Sequence, residues 1–165
     1  EFKYKKILVE GTFINKNMYL EPRTYNGQVG FNLISPFLLK DGRIILIDRG
    51  WVREKKFFND DNEKKVFLQG ILKESDKKNF FTPKNVPKDN SWFYINILQM
   101  SKYVGFNLIN HVFLELINEN DLNNYPIAKE PKVALPNNHL QYSITWGMLA
   151  VIFLIMNYIY LRKNK

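Results

Sequence analysis

The sequence contains no cysteine and only two histidines among its 165 residues. The absence of cysteine excludes disulfide bonds, thiolate metal sites and cysteine nucleophiles. It also excludes the CxxCH motif that attaches a c-type haem covalently. A glycine-rich phosphate-binding motif is missing as well. Several common classes of enzyme are therefore excluded, and His111 and His139 are the two histidines left to consider as ligands.

Catalytic side chains form no recognisable pattern in this sequence. A Ser–Lys dyad on a membrane-tethered β domain would indicate a signal-peptidase-like protease, but no spacing selects one pair. The serines considered for such a dyad are Ser35, Ser75, Ser91 and Ser101. Acidic residues cluster at Asp60, Asp61 and Glu63, in a polar turn that is more typical of a solvated loop than of a metal or acid–base site. The sequence therefore favours a protein that is not an enzyme.

Positive charge is abundant but dispersed. The chain has 24 Lys and Arg against 16 Asp and Glu, which gives a formal net charge of +8. Lysines and acids alternate along the chain, and neither a basic helix nor a basic stripe appears. This pattern indicates a solvated basic surface and no nucleic-acid partner.

One uncharged stretch, residues 144–161, is long enough to span a bilayer. Its 18 residues would form a helix of about 27 Å, close to the roughly 30 Å hydrocarbon core of a bilayer. Tyr142 and Trp146 lie at one end, and Tyr158 and Tyr160 lie at the other, as in an aromatic belt. The stretch has no polar stripe, which a buried helix of this length would normally show. We therefore predict a transmembrane helix.

The positive tail after this helix predicts its orientation. Arginine and lysine occupy three of the last four positions, 162–165. Such clusters stay on the cytoplasmic or matrix side, so the domain before the helix would face the periplasm or the intermembrane space. We predict a β-rich extramembrane domain over residues 1–136, and a transmembrane helix with a basic tail over residues 137–165. Because the sequence begins with Glu1 rather than with methionine, we expect a further N-terminal segment to precede it.

Several short apolar runs predict strands before the membrane helix. They cover residues 5–13, 19–23, 31–39, 43–52, 66–72 and 111–117. Asp41 and Gly42 between two of these runs predict a hairpin, and Pro36 suggests an edge position or a bulge. Residues 44–47 are apolar without alternation, which predicts a central strand covered on both faces. Gly70 predicts a bulge or a close approach of two backbones.

A single short helix is predicted after the polar loop of residues 73–91. Asn96 is a suitable N-cap and Gly105 a suitable stop, and the apolar face would be formed by Ile97, Met100 and Val104. The expected fold is mainly β or α+β, as an antiparallel sheet or a small barrel-like domain with one short helix. The C-terminal transmembrane helix completes it.

His139 is the sharpest candidate for ligand binding. It precedes the uncharged stretch by five residues, where water, headgroups and protein meet. A neutral imidazole at such a place can ligate haem iron. The alternative is an interfacial histidine that helps to satisfy free amides at the start of the helix, with Asn137 or Asn138 as N-cap.

A second candidate site is the segment Asp48-Arg49-Gly50-Trp51. Arg49 could pair with a carboxylate, including a haem propionate, and Trp51 could stack on a flat ligand. The alternative is an Arg49–Trp51 stack that closes one end of the domain, with Asp48 as the partner of Arg49. His111 lies in an apolar strand and is interpreted as a structural or surface residue.

The order of these motifs resembles the surfeit-locus protein 1 family. Two segments carry the resemblance: Arg49-Gly50-Trp51-Val52, and the stretch from Asn137-Asn138-His139 to Trp146, which reads NNHLQYSITW. The resemblance begins near the first residue and extends into the membrane helix. Either segment alone would be less specific than the pair in this order and separation.

The resemblance implies a function that the residues alone do not. Members of this family resemble two-span proteins of the inner membrane that assist assembly of haem-copper cytochrome oxidase, and their first span would precede Glu1. The implied cofactor is haem a, with His139 as the candidate ligand of its iron. The implied partners are oxidase subunit I and haem a synthase, together with the lipid bilayer. A haem-independent scaffold that stabilises nascent subunit I is the alternative function.

Overall fold

A computed structural model describes residues 5–56, 64–75, 78–117, 126–128 and 138–164 of the chain. The chain divides into two compact units, Glu1–Pro131 and Lys132–Lys165. The first unit contains the β-strands and a short helix, and the second contains one long helix.

The predicted strands are present, and most are longer than expected. Their bounds are Lys6–Phe13 (β1), Met18–Tyr25 (β2), Gln28–Leu39 (β3), Ile44–Val52 (β4), Val66–Glu74 (β5) and Leu108–Leu116 (β7). The segment predicted as a loop also contains a 3₁₀ turn at Pro87–Asp89 and a two-residue strand, β6, at Ser91–Trp92. These two short elements carry no hydrophobic periodicity that a sequence pattern could detect.

Five of these strands close into a barrel. Hydrogen bonding runs in the order β1-β5-β7-β4-β3, and β3 pairs with β1 again to close the ring. β2 and then β6 extend the sheet beyond β3. The predicted fold class is confirmed, with one refinement: the barrel is mixed, because β4 and β7 run parallel.

Gly11 is the residue at which the barrel closes. It pairs with Val66 of β5 and also with Leu39 of β3, so β1 changes partner at this position. A Cβ atom here would lie 2.1 Å from the carbonyl oxygen of Leu38. The side chain of any other residue would therefore separate the two strands that must meet.

The β3–β4 hairpin forms at the predicted turn. The carboxylate of Asp41 accepts hydrogen bonds from Arg43 Nε at 2.8 Å and Nη2 at 2.6 Å. These bonds to the guanidinium hold the pKa of Asp41 below its usual range. The sequence suggested an edge position or a bulge at Pro36, but the bulge in the β3–β4 pairing is opposite Leu33 and Ile34, on strand β4. Pro36 lies between the stretch of β3 that pairs with β2 and the stretch that pairs with β1.

Strand β4 is covered on both faces, as predicted. Its residues Ile45 and Ile47 belong to one apolar cluster, which includes Phe13, Phe37 and Leu114. Leu46 belongs to another cluster on the opposite face. That second cluster consists of Met18, Leu20, Ile34, Leu46, Trp92, Ile95, Ile97, Met100, Val104, Leu108 and Phe113.

Helix α1, Ile97–Val104, covers this second cluster. The side chain of Asn96 accepts a hydrogen bond from the Gln99 amide at 3.0 Å, which caps the first turn. Gly105 ends the helix in the left-handed conformation, with φ of 79°. The predicted cap, apolar face and stop are all confirmed.

Helix α2, His139–Lys163, forms the second unit. Its 25 residues contain the predicted uncharged stretch, with a mean hydropathy of 1.9 over the most apolar 18-residue window. By length and composition it is able to cross a membrane, and none of that window is buried within the structure. Asn138 is the N-cap residue, although its side chain makes no capping hydrogen bond.

Candidate functional site: the Asp48–Trp51 corner and the start of helix α2

Arg49 is the extra residue of a β-bulge at the end of β4. Leu33 pairs with Gly50 and Ile34 pairs with Asp48, so Arg49 has no opposite residue on β3. A bulge changes the direction of the side chains beside it, and pairing with β3 resumes at Gly50 and continues to Val52. Gly50 adopts a φ of +111°, and a Cβ atom there would lie 2.0 Å from the carbonyl oxygen of Ile127. The backbone conformation and the contact with Ile127 therefore both require glycine at this position.

Asp48 anchors the corner through its buried carboxylate. The residue is 4% exposed. Asn32 Nδ2 donates to its Oδ1 and Oδ2 at 3.1 Å and 2.9 Å, and the Gly50 amide donates to Oδ1 at 3.0 Å. Hydrogen bonds to an ionised group are stronger than neutral ones, so this network fixes the bulge. The pairing of Asp48 with Arg49 stays a prediction.

A second buried carboxylate lies beside the first. Glu115 of β7 pairs with Asp48 across the parallel strands, and its carboxylate lies 2.7 Å from Lys73 Nζ. Sequence reasoning missed this Glu115–Lys73 ion pair because its members come from strands that are distant in sequence. The alternation Leu114, Glu115, Leu116 was the available signal, since it places the acid on the face opposite to the two leucines.

Arg49 and Trp51 contact different aromatic rings. The guanidinium carbon of Arg49 lies 4.1 Å from the centre of the Phe13 ring, within the range of a cation–π contact. Trp51 packs on Tyr25, with ring centroids 5.5 Å apart. Its indole Nε1 donates to the Arg23 carbonyl at 3.3 Å.

Trp51 is almost completely covered. It is 5% exposed, and its backbone forms two hydrogen bonds with Ile127 at 2.8 Å and 2.9 Å. A Cβ atom on Gly30 would lie 2.7 Å from the indole, so the ring occupies the space that this glycine leaves. A flat ligand would therefore have to displace Tyr25 or the backbone at Gly30 to stack on Trp51. The ligand-binding roles of Arg49 and Trp51 stay predictions.

His139 is the first residue of helix α2, and its side chain is exposed. Tyr142 and Trp146 follow it at the third and seventh positions, which places all three on one face of the helix. The two aromatic side chains are exposed as well. The donor chemistry fits a haem iron, because an accessible imidazole can supply one axial nitrogen. The adjoining aromatic face is suited to contact with a flat macrocycle.

The remaining residues considered in the sequence are His111, the serines and the acidic cluster, and they lie away from the Asp48–Trp51 corner along the chain. His111 lies in β7 with a φ of 68°, and its carbonyl accepts the Ser75 amide at 2.8 Å. The hydroxyl of Ser35 donates to Asn17 Oδ1 at 2.6 Å, and that of Ser101 donates to the Phe106 carbonyl. Asp60, Asp61 and Glu63 lie outside the described residues. Within the described ranges, no group of three His, Cys, Asp or Glu side chains is arranged to hold a metal ion.

Fold and site together define a class: a five-stranded mixed barrel with a bulged Asp-Arg-Gly-Trp corner, and a long apolar helix that begins with a histidine. The profile of the SURF1 family matches residues 1–151, a range that includes the corner and the first half of α2. The chain therefore belongs to the SURF1 family, which confirms the resemblance seen in its motifs.

Individual relatives match over most of the chain. A SURF1-like protein of Rickettsia conorii is 31% identical over 170 residues, covering 97% of this chain and 70% of the relative. The SURF1-like protein of Rickettsia bellii shows the same identity and coverage. Surfeit locus protein 1 of the mouse is 29% identical over 165 residues, covering 87% of this chain and 53% of the relative.

Proposed function

We propose that this protein is a membrane-bound assembly factor for haem-copper cytochrome oxidase, which assists delivery or insertion of haem a into subunit I. The family match over residues 1–151 carries this proposal, because the resemblance implies this function and the match includes both motif segments. The apolar helix α2 supports it, since helices of this length and composition anchor proteins in bilayers.

The proposed placement follows the two parts of the chain. Residues 1–136 form the extramembrane domain, and residues 137–165 anchor it in the bacterial plasma membrane or the mitochondrial inner membrane. The basic tail favours a cytoplasmic or matrix position for the C-terminus. Oxidase subunit I is the proposed partner, and haem a synthase is the proposed source of the cofactor.

His139 is the proposed ligand residue. Haem a supplies an iron with an axial position that an imidazole can fill. His139 offers that nitrogen at the first turn of α2, and Tyr142 and Trp146 present an apolar surface along the same face. A single exposed imidazole releases its ligand more readily than a closed cage with two axial ligands does. Transient binding of this kind suits a protein that passes its cofactor on.

The test compares the two histidines of the chain. The full protein is co-expressed with the haem a pathway, purified in detergent, and its haem content and absorption spectrum are recorded. We expect His139→Ala to lose most of the bound haem a, and His139→Met to retain part of it, because methionine also ligates haem iron.

The matched control is His111→Asn. His111 has a positive φ of 68°, which asparagine tolerates better than alanine does. This variant should keep the spectrum of the unmodified protein. Equal haem content in His139→Ala and His111→Asn would contradict the ligand role of His139.

The covered Trp51 favours a second candidate function, a haem-independent scaffold that stabilises nascent subunit I. Arg49 and Trp51 contact Phe13 and Tyr25 within the same domain, so the segment acts here as a packing corner. A scaffold predicts that oxidase yield falls in Trp51→Ala cells and is unchanged in His139→Ala cells. Haem delivery through His139 predicts that oxidase yield falls in cells with either variant.

A further inference from the structure

Two neighbouring aromatic side chains are exposed in the loop between β5 and β6. Phe80 and Phe81 are 94% and 91% exposed, and their ring centroids lie 5.3 Å apart in an edge-to-face arrangement. Leaving two large apolar side chains in water forgoes the free energy of burying them. The described part of the chain does not cover this pair.

Hydrogen bonds hold the loop on the domain. The Asn85 side-chain amide donates to the Tyr94 carbonyl at 3.2 Å and to Gln99 Oε1 at 2.9 Å. Its Oδ1 accepts the Phe93 amide at 2.8 Å. Nearer the tip, the Thr82 amide donates to the Asn79 carbonyl at 3.1 Å. The two rings are therefore displayed on a supported turn.

The loop around the rings is positively charged. Between β5 and β6, residues 75–90 contain four lysines against two acids, Asp76 and Asp89, and therefore carry a formal net charge of +2. Within this range, the side chains of Lys78, Lys84 and Lys88 are exposed. A complementary partner must offer an apolar layer directly beneath a layer of negative charge. A bilayer with anionic headgroups has this arrangement, and basic side chains beside it bind lipid phosphates.

A protein partner fits the loop less well. Two phenylalanine side chains offer roughly 300–500 Å² of contact area, while a stable protein interface needs about 800 Å² from each partner. A bilayer needs no such area here, because α2 already tethers the domain to the membrane in the proposed function. Tethering turns the second contact into an intramolecular event with a high effective concentration.

We infer that the loop carrying Phe80 and Phe81 is a membrane-contact site, which inserts both rings among the headgroups of an anionic bilayer. Lys78 and Lys84 bind the phosphates of those lipids. This inference rests on the proposed anchoring by α2 and extends it, because the domain then touches the bilayer at a second point and loses rotational freedom about its tether.

The absence of cysteine makes a direct test possible, since each introduced cysteine is the sole attachment point for a nitroxide spin label. The full chain is reconstituted into bilayers of phosphatidylcholine with phosphatidylglycerol. Labels are placed by Asn79→Cys in the loop, by Ala150→Cys in α2, and by Val29→Cys at a site that is 70% exposed outside the loop. The relaxation caused by oxygen is compared with that caused by a water-soluble nickel complex at each site.

We expect the label at residue 150 to be relaxed mainly by oxygen and the label at residue 29 mainly by the nickel complex. At residue 79, the ratio of the two relaxation rates should be intermediate, as is typical of the headgroup region. Adding Phe80→Ser and Phe81→Ser should return residue 79 to the ratio of residue 29. Adding Lys78→Gln and Lys84→Gln should lower the ratio of docked to undocked loop roughly fivefold per lysine in anionic bilayers, and should have no effect in pure phosphatidylcholine.

A fully water-exposed label at residue 79, with residue 150 immersed, would overturn the inference and leave the anchor standing. The same result would favour a protein as the partner of the loop. Immersion at residue 79 that survives the double serine variant, or equal immersion at residue 29, would also overturn it. A label at residue 150 that reports water would overturn the proposed anchor and this inference together.

Discussion

At the residue scale, the hydrogen bonds of the buried Asp48 carboxylate determine the geometry of the Asp48–Trp51 corner. It satisfies the Asn32 side-chain amide and the Gly50 amide at once. Those two donors lie on different strands, so a single side chain ties β3 to the bulge of β4. The position of Arg49 over Phe13 follows from that bulge.

Replacing Asp48 tests this role. Asp48→Ala should destabilise the domain by about 1–3 kcal/mol, because the partly buried Asn32 side-chain amide and the buried Gly50 amide lose their acceptor. The urea midpoint of the full chain in detergent, followed by the fluorescence of the buried Trp51 and Trp92, measures the change. Asp41→Ala is the matched control, because its ion pair with Arg43 is exposed to solvent and the loss of an exposed pair should change stability much less. Equal shifts in the two variants would contradict the role of Asp48.

Residue-level expectations from the sequence succeeded where the signal was local. Asp41 and Gly42 predicted their hairpin, and Asn96 and Gly105 predicted both ends of α1, because turns and caps depend on neighbours along the chain. The Glu115–Lys73 ion pair depends on which strands become neighbours, and a single sequence does not encode that in any short pattern. The roles of His139, Arg49 and Trp51 stay predictions.

At the element scale, glycines allow strands and loops to approach more closely than residues with a Cβ atom would. Gly50 combines a positive φ with a 2.0 Å clash for any Cβ, whereas Gly42 has a φ of +83° and nothing within 4 Å. Both positions have a positive φ, which favours glycine, but only Gly50 is packed closely against another segment.

This contrast gives a matched pair of variants. Gly42→Ala should cost about 1–2 kcal/mol for the left-handed backbone alone. Gly50→Ala should cost more, because it must also push the Ile127 backbone away from Trp51. Urea midpoints measure the difference in stability, and hydrogen exchange at the Trp51 and Ile127 amides reports the local opening. Similar midpoints and similar exchange in both variants would refute the close packing at Gly50.

The strand pairing itself was only partly predictable. The apolar run at residues 44–47 correctly indicated a central strand, because both of its faces are covered. The same run gave no sign of a parallel neighbour. Pro36 was expected at an edge or a bulge, and it lies instead where β3 exchanges one neighbour for another. Proline has no amide hydrogen to donate and is tolerated where a strand changes neighbour. This change of neighbour exists only because the barrel is closed, so the sequence alone could not predict it.

At the scale of the whole molecule, the basic tail predicts how the chain is oriented. A green fluorescent protein fused after Lys165 should fluoresce, and an alkaline phosphatase fused there should be inactive, because the C-terminus is proposed to stay in the cytoplasm. Replacing Arg162, Lys163 and Lys165 with serine should weaken this bias, while the same replacements at Lys5, Lys6 and Lys16 in the domain should not. An active phosphatase fusion on the unmodified chain would reverse the proposed orientation.

The order of strands has a further consequence for incomplete chains. Among the strands of the described residues, β7 is synthesised last, and it lies between β4 and β5. A chain that stops before Leu108 would not form a smaller barrel, because β4 and β5 would each keep an unpaired edge. Open edges template pairing with other chains. Premature termination anywhere upstream of β7 should therefore yield material that aggregates or is degraded, rather than a shortened protein with partial activity.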